Sequence, residues 1–314
     1  MTPESRILGG LYGFLIGDAL GVPVEFKPRA DRVLDPVTDM RDYGTHGQPK
    51  GTWSDDGALL LCSVESLVEK GGFDSQDMGE RYLRWSTYGL WTAHGVLFDI
   101  GFATRAALRR IEKGCPAEIA GGTDEHSNGN GSLMRILPMP LASLNEGDDV
   151  LEDRIFRASA ITHAHDRSKL ACLMHGLVTR FLMQGQDAGA AVRQAQGIFT
   201  QRYKAHPEFP AFRQVLDPLL SQTPEHEIGS DGYVMATLAA SLWCLLTTSD
   251  FSGCVLKAVN LGDDTDTTGC VAGGLAGVLY GLEAIPPEWI SVLPRQDDLR
   301  RLFDKFLKFT GTSS

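Results

Sequence analysis

The chain has 314 residues, 43% hydrophobic and 22% charged, enough to bury a full core in one large domain or two smaller ones. Forty acids against 29 bases leave a formal charge of −11, which argues against a nucleic-acid backbone binder, since that function needs a basic face. An anionic small molecule would have to be held through metal ions or backbone N–H groups. The six cysteines form no C-x-x-C pair, so zinc is not indicated, and they read as buried hydrophobes of a reducing cytoplasm.

The first element is an apolar run from Ile7 to Gly17 that Asp18 stops short of the roughly 20 residues of a membrane span. It lacks the basic flank and cleavage site of a secretory signal. The expectation is therefore a cytoplasmic chain without a membrane span. Gly9, Gly13, Gly17 and Gly21 fall on one face of this helix, and Gly269, Gly273, Gly277 and Gly281 repeat the pattern near the other end. Each helical glycine costs about 1 kcal/mol relative to alanine. Two such rows therefore need a cause, either close helix packing or direct approach of a ligand.

After this helix, Asp18 suits an anchor for loop backbone, whereas Glu25 either reaches into a site or stays on the surface. Pro/Gly punctuation over 21–52 and 114–131 marks two long loops. Trp53-Ser54-Asp55-Asp56-Gly57 precedes a helix whose stripe is Leu59, Leu60, Ser63, Val64, Leu67 and Val68. Ser54 or Asp55 could cap that helix. Asp99 stands before a helix expected over 100–113, which it could also cap.

Gly129-Asn130-Gly131-Ser132 reads either as a turn before a helix starting at Ser132 or Leu133, or as a loop whose N–H groups meet phosphate. His163 and His165 are two residues apart, poor spacing for a shared metal on one helix face. Runs 166–184, 187–204 and 231–247 read as helices. Gly262-Asp263-Asp264-Thr265-Asp266-Thr267-Thr268-Gly269 crowds three carboxylates and three hydroxyls, which repel unless a cation sits among them. Oxygen donors of this kind suit Mg²⁺ or Mn²⁺ better than Zn²⁺. The last element is an amphipathic helix with Leu299, Leu302, Phe303, Phe306 and Leu307 on one face. No run alternates as strands do, so the expected fold is a single all-α domain over 1–314.

Five of these segments resemble, in order, the motifs of the ADP-ribosylglycohydrolase family. They are Gly17-Asp18-Ala19-Leu20-Gly21 through Glu25, Trp53-Ser54-Asp55-Asp56, Gly129 to Arg135, Thr162-His163-Ala164-His165, and Gly262 to Thr267. They span roughly residues 7–282. The resemblance implies a compact orthogonal helical domain holding two Mg²⁺ or Mn²⁺ ions in an ADP-ribose cleft. It would place Ser54, Asp55 and Asp56 on the metals from one side and Asp264, Asp266 and Thr267 from the other. Gly129, Asn130, Gly131, Ser132 and His163 would bind the ribose, diphosphate or adenosine, and Tyr233 could stack on adenine or sit in the core.

Phe98-Asp99-Ile100-Gly101 resembles the arginine-directed branch, typified by the dinitrogenase reductase-activating glycohydrolase. Asp99 would then pair with the guanidinium leaving group, and Glu25 would be a second acid/base or gate. The implied activity is removal of ADP-ribose from ADP-ribosylated proteins, most simply at arginine. Alternatives are an O-linked ADP-ribosylserine or polymer hydrolase, or a non-catalytic ADP-ribose binder. The chain departs from the family in carrying Asp263 where a second glycine is usual.

Overall fold

The computed structural model describes residues 1–312. Among them fourteen α-helices form, joined by loops and 3₁₀ turns. The first half holds α1 (Pro3–Gly21), α2 (Arg29–Leu34), α3 (Asp55–Lys70), α4 (Ser75–Tyr88), α5 (Phe102–Glu112), α6 (Pro138–Ala142) and α7 (Asp148–Ala160). The second holds α8 (Asp166–Met183), α9 (Ala188–Tyr203), α10 (Val234–Thr247), α11 (Phe251–Val259), α12 (Thr265–Tyr280), α13 (Pro287–Ser291) and α14 (Gln296–Thr310). No strand forms among the described residues; isolated bridges join Tyr43 to Gln48, Gly122 to His163 and Gly129 to Tyr233. The fold is all-α, as expected.

The two glycine rows meet. A Cβ on Gly17 would lie 2.0 Å from the Gly269 carbonyl oxygen, one on Gly13 2.5 Å from that of Gly273, and one on Gly9 2.3 Å from that of Gly277. These are backbone contacts, so α1 and α12 can touch only where side chains are missing. Packing, not a ligand, explains these six glycines. Gly281 ends α12 instead, at φ +80°.

The most apolar 18-residue window within Pro3–Val24 averages a hydropathy of 1.6, so by length and composition this helix could cross a membrane, contrary to the expectation that the run is too short. Its place in the core explains the apolarity: 89% of that window is buried. The α14 stripe is buried as expected, with Tyr12 of α1 edge-on to Phe303 at 5.0 Å between ring centroids.

Two helix starts differ from expectation. The helix expected from residue 100 begins at Phe102, and Gly101 caps it without a side-chain bond, so Asp99 is no cap. The helix expected at Ser132 is only a 3₁₀ turn, Leu133–Arg135, because Pro138 and Pro140 lack the N–H donors that would extend it. All six cysteines are free thiols and five are buried.

Candidate active site

A cavity of about 450 Å³ opens where the first turns of α3 and α12, the start of α5, Glu25 and the 129–131 loop converge. The construction begins at α3. The Ser54 hydroxyl accepts the Asp56 N–H at 3.2 Å. The buried Asp18 carboxylate accepts the N–H of Ser54 at 3.0 Å and of Gly57 at 2.8 Å. Asp18 is thus the backbone anchor its sequence position suggested. With the N-terminal donors of α3 satisfied by Ser54 and Asp18, the Asp55 and Asp56 carboxylates are left to line the cavity.

Opposite, α12 opens with Asp264 as cap residue and Asp266 and Thr267 in its first turn, all lining the cavity. Asn130 donates its side-chain amide to Asp264 Oδ2 at 2.8 Å and to the Thr237 hydroxyl at 2.9 Å, so it orients Asp264 as well as lining the wall. Asp263 turns away and is exposed. Its φ of +59° and backbone bonds to Phe26 and Lys27 show why glycine suits this position: the left-handed region costs glycine nothing.

Six carboxylates, those of Glu25, Asp55, Asp56, Asp99, Asp264 and Asp266, line this one cavity. Among the described residues no Lys or Arg side chain lines it. Burial raises Asp55, Asp56 and Asp266 well above the ordinary carboxylate range, and neighbouring acids add to each shift. Burial likewise pushes Asp18 up to about 7. Glu25 is raised by burial and by Asp264 and Asp99, while its bond to His46 opposes the shift. Such a set is stable as anions only around a hard cation, and its all-oxygen donors fit a divalent one. One carboxylate oxygen each from Glu25, Asp264 and Asp266 lie within 4.8 Å of one another.

His163 lines the wall beside Gly129 and Gly131. Arg135, buried beneath, donates to the Thr162 hydroxyl at 2.7 Å, and that hydroxyl lies 2.8 Å from His163 Nδ1. Arginine only donates, so the Thr162 proton is free to go to Nδ1, which assigns the imidazole proton to Nε2. Burial, with Arg135 adding, holds the ring neutral with a pKa of about 3.

Three expected site residues lie outside the lining. Ser54 serves the end of α3. Ser132 is buried against Ser159 and Cys172. Tyr233 is 38% exposed, and its ring and hydroxyl meet Arg167. His165 caps α8 through Nδ1, which accepts the Arg167 N–H. Phe26, Thr104, His126 and Met134 line the cavity without having been read from the sequence. They stand in loops or on unremarkable helix faces, where no spacing marks them.

An all-α chain with an acidic cavity at facing helix N-termini is the class that fold and site define. The chain belongs to the ADP-ribosylglycohydrolase family, whose model matches residues 1–313. It is 31% identical over 312 residues to the ADP-ribosylarginine hydrolase Tri1 of Pseudomonas putida, covering 96% of this chain and 78% of that protein. It is 30% identical to the ADP-ribosyl-[dinitrogen reductase] glycohydrolase of Rhodospirillum rubrum, covering 98% and 97%. A solved ADP-ribosylglycohydrolase-related protein complex superposes with a TM-score of 0.82 at 35% identity, over 98% of this chain and 99% of that one.

Proposed function

We propose that the chain hydrolyses the N-glycosidic bond between ADP-ribose and arginine in mono-ADP-ribosylated proteins. The observation that carries the reading is Asp99, which shares one cavity with the five other carboxylates. Among the described residues its Oδ1 accepts the adjacent Ile100 N–H, at 2.8 Å, which leaves carboxylate lone pairs for a guanidinium. The relatives named for arginine and dinitrogen reductase support the same direction.

Two Mg²⁺ or Mn²⁺ ions would be held by Ser54, Asp55 and Asp56 from one side and by Asp264, Asp266 and Thr267 from the other, the Ser54 hydroxyl keeping a second lone pair beside the Asp56 N–H it accepts. Bound there, they would supply positive charge and Lewis acidity beside the ribose hydroxyls or a water. Asp99 pairs with the guanidinium and orients the bond. His163, neutral and protonated on Nε2, offers a donor to ribose or phosphate oxygen, and its ring takes the space a Gly131 side chain would fill, a Cβ there lying 2.6 Å from His163 Cε1. Water adds its oxygen to the anomeric carbon as the carbon–nitrogen bond breaks, and the leaving nitrogen takes a proton. Glu25 and Asp99 are the groups placed to move those protons. The products are ADP-ribose and unmodified arginine.

The test is chromatographic detection of free ADP-ribose after incubation with an ADP-ribosylarginine peptide and Mg²⁺. Release is expected, and intact peptide after prolonged incubation would refute the reading.

A further inference from the structure

The loop over 40–52 supplies no side chain to the cavity lining, yet it grips one that does. Residues 43–48 close a tight turn, with the Tyr43 N–H donating to the Gln48 carbonyl at 2.6 Å and Tyr43, Gly44 and Gly47 all at positive φ. A Cβ on Gly44 would lie 1.9 Å from the Pro23 carbonyl oxygen, so the turn is seated directly on the segment that leads into Glu25. From this seat Thr45 donates its hydroxyl to the Glu25 carbonyl at 2.8 Å, and His46 Nε2 bonds the Glu25 carboxylate. The imidazole is flanked by Phe98 at 5.2 Å and Phe26 at 5.9 Å between ring centroids.

Glu25 needs such a grip. Its carboxylate lies within 4.8 Å of His46 and Asp99 in one grouping, and of Asp264 and Asp266 in another. Asp264 and Asp99 both repel its carboxylate, so an opposing partner is needed to hold it among them. The Phe26 N–H, bonded to the Asp263 carbonyl at 2.7 Å, fixes the backbone but not the side chain.

We propose that His46 is a positioning residue, whose Nε2–H holds the Glu25 carboxylate between Asp99 and the Asp264–Asp266 pair. The inference rests on the hydrolase reading above. His46 does not line the cavity and acts only through Glu25.

The experiment compares His46→Phe, which keeps the ring packing and removes the bond, with His46→Gln, which restores a donor. With Mg²⁺-loaded protein and an ADP-ribosylarginine peptide, His46→Phe is expected to lower kcat about 10- to 100-fold, as loss of a supporting hydrogen bond behind an active-site ligand does. KM and Tm should stay near wild type, and His46→Gln should recover most of kcat. Wild-type kcat in His46→Phe would overturn the proposal, as would parallel loss of kcat and Tm with no recovery in His46→Gln.

A second readout needs no turnover. The wild type should show a strongly deshielded imidazole N–H proton resonance that disappears in both His46→Phe and Glu25→Ala. Its absence from the wild type, or its persistence in Glu25→Ala, would overturn the bond itself. If the wild type released no ADP-ribose while the resonance was present, the hydrolase reading and His46's part in a reaction would both fall, and the contact alone would stand.

Discussion

Gly21 and Asp266 meet with no room for one more carbon: a Cβ on Gly21 would lie 2.3 Å from both the backbone nitrogen and the Cα of Asp266. The Thr265 hydroxyl donates to the Gly21 carbonyl at 2.8 Å across the same junction. The seam that packs the two ends of the chain therefore also sets the position of a cavity carboxylate.

Two alanine substitutions separate these roles. Gly17→Ala, in mid-seam, should cost about 3 kcal/mol, because its methyl would overlap the Gly269 backbone and neither helix can yield without losing the other contacts. Gly21→Ala should also lower kcat, since it displaces Asp266. Urea denaturation together with steady-state kinetics checks both, and a Gly21→Ala protein with full kcat would detach the seam from the site.

Removing a cluster carboxylate should be far more damaging to function than to folding. Asp55→Ala and Asp266→Ala each take one anion from a crowded, buried set whose members raise one another. Turnover should fall by on the order of 10³-fold or more, and Mg²⁺ affinity measured by calorimetry should weaken at least about tenfold. Tm without metal should hold or rise as repulsion is relieved. Full activity in either variant would remove these residues from the metal set.

Burial of these carboxylates, with their mutual repulsion added, gives a pH signature. Asp18 sits at about 7 in the folded protein against an ordinary 3.8, and Asp55, Asp56 and Asp266 stand well above theirs. An acid raised by folding keeps its proton where the unfolded chain has lost it. Its contribution to stability is full below about pH 4 and is lost as pH rises through the folded value, near 7 for Asp18. His163 and His175, both held neutral with values of about 3, act in the opposite sense as pH falls below 6.5. They contribute equally with and without metal, so the difference isolates the carboxylates. The Tm gain from Mg²⁺ over EDTA should grow between pH 5 and pH 8; an equal gain at both would contradict a carboxylate site.

His163 offers a test of substrate binding. Thr162→Val leaves Nδ1 without its hydroxyl partner, so the imidazole proton is no longer directed to Nε2. KM for the ADP-ribosylated peptide should rise about tenfold, the equivalent of one hydrogen bond at roughly 1.4 kcal/mol. The kcat should change little. A fall in kcat with constant KM would assign His163 to the chemistry instead.

Much of this was legible in the sequence because it is repetitive or dense. The glycine rows at fourfold spacing, the Asp55–Asp56 and Asp264–Asp266 clusters and the α14 stripe each announce themselves within one short segment. Ser54 is less legible, because a hydroxyl beside two acids looks alike whether it serves a cation, a helix end or both, and the Asp56 N–H it accepts at 3.2 Å takes only one of its lone pairs. Ser132 is equally ambiguous, its Asn-Gly-Ser setting suiting a buried hydroxyl network, and its side chain meets Ser159 and Cys172. His46 could not be found at all. Its partner is 21 residues away across an irregular loop, and the pairing depends on the Gly44–Pro23 contact that no local pattern encodes.

The most direct measurement is release of ADP-ribose from mono-ADP-ribosylated arginine and serine peptides, side by side with Mg²⁺, for the wild type and Asp99→Ala. Release from arginine alone, lost in Asp99→Ala, is the expected result. Release from serine, or arginine release that Asp99→Ala leaves intact, would contradict the assignment of this cavity to the guanidinium linkage.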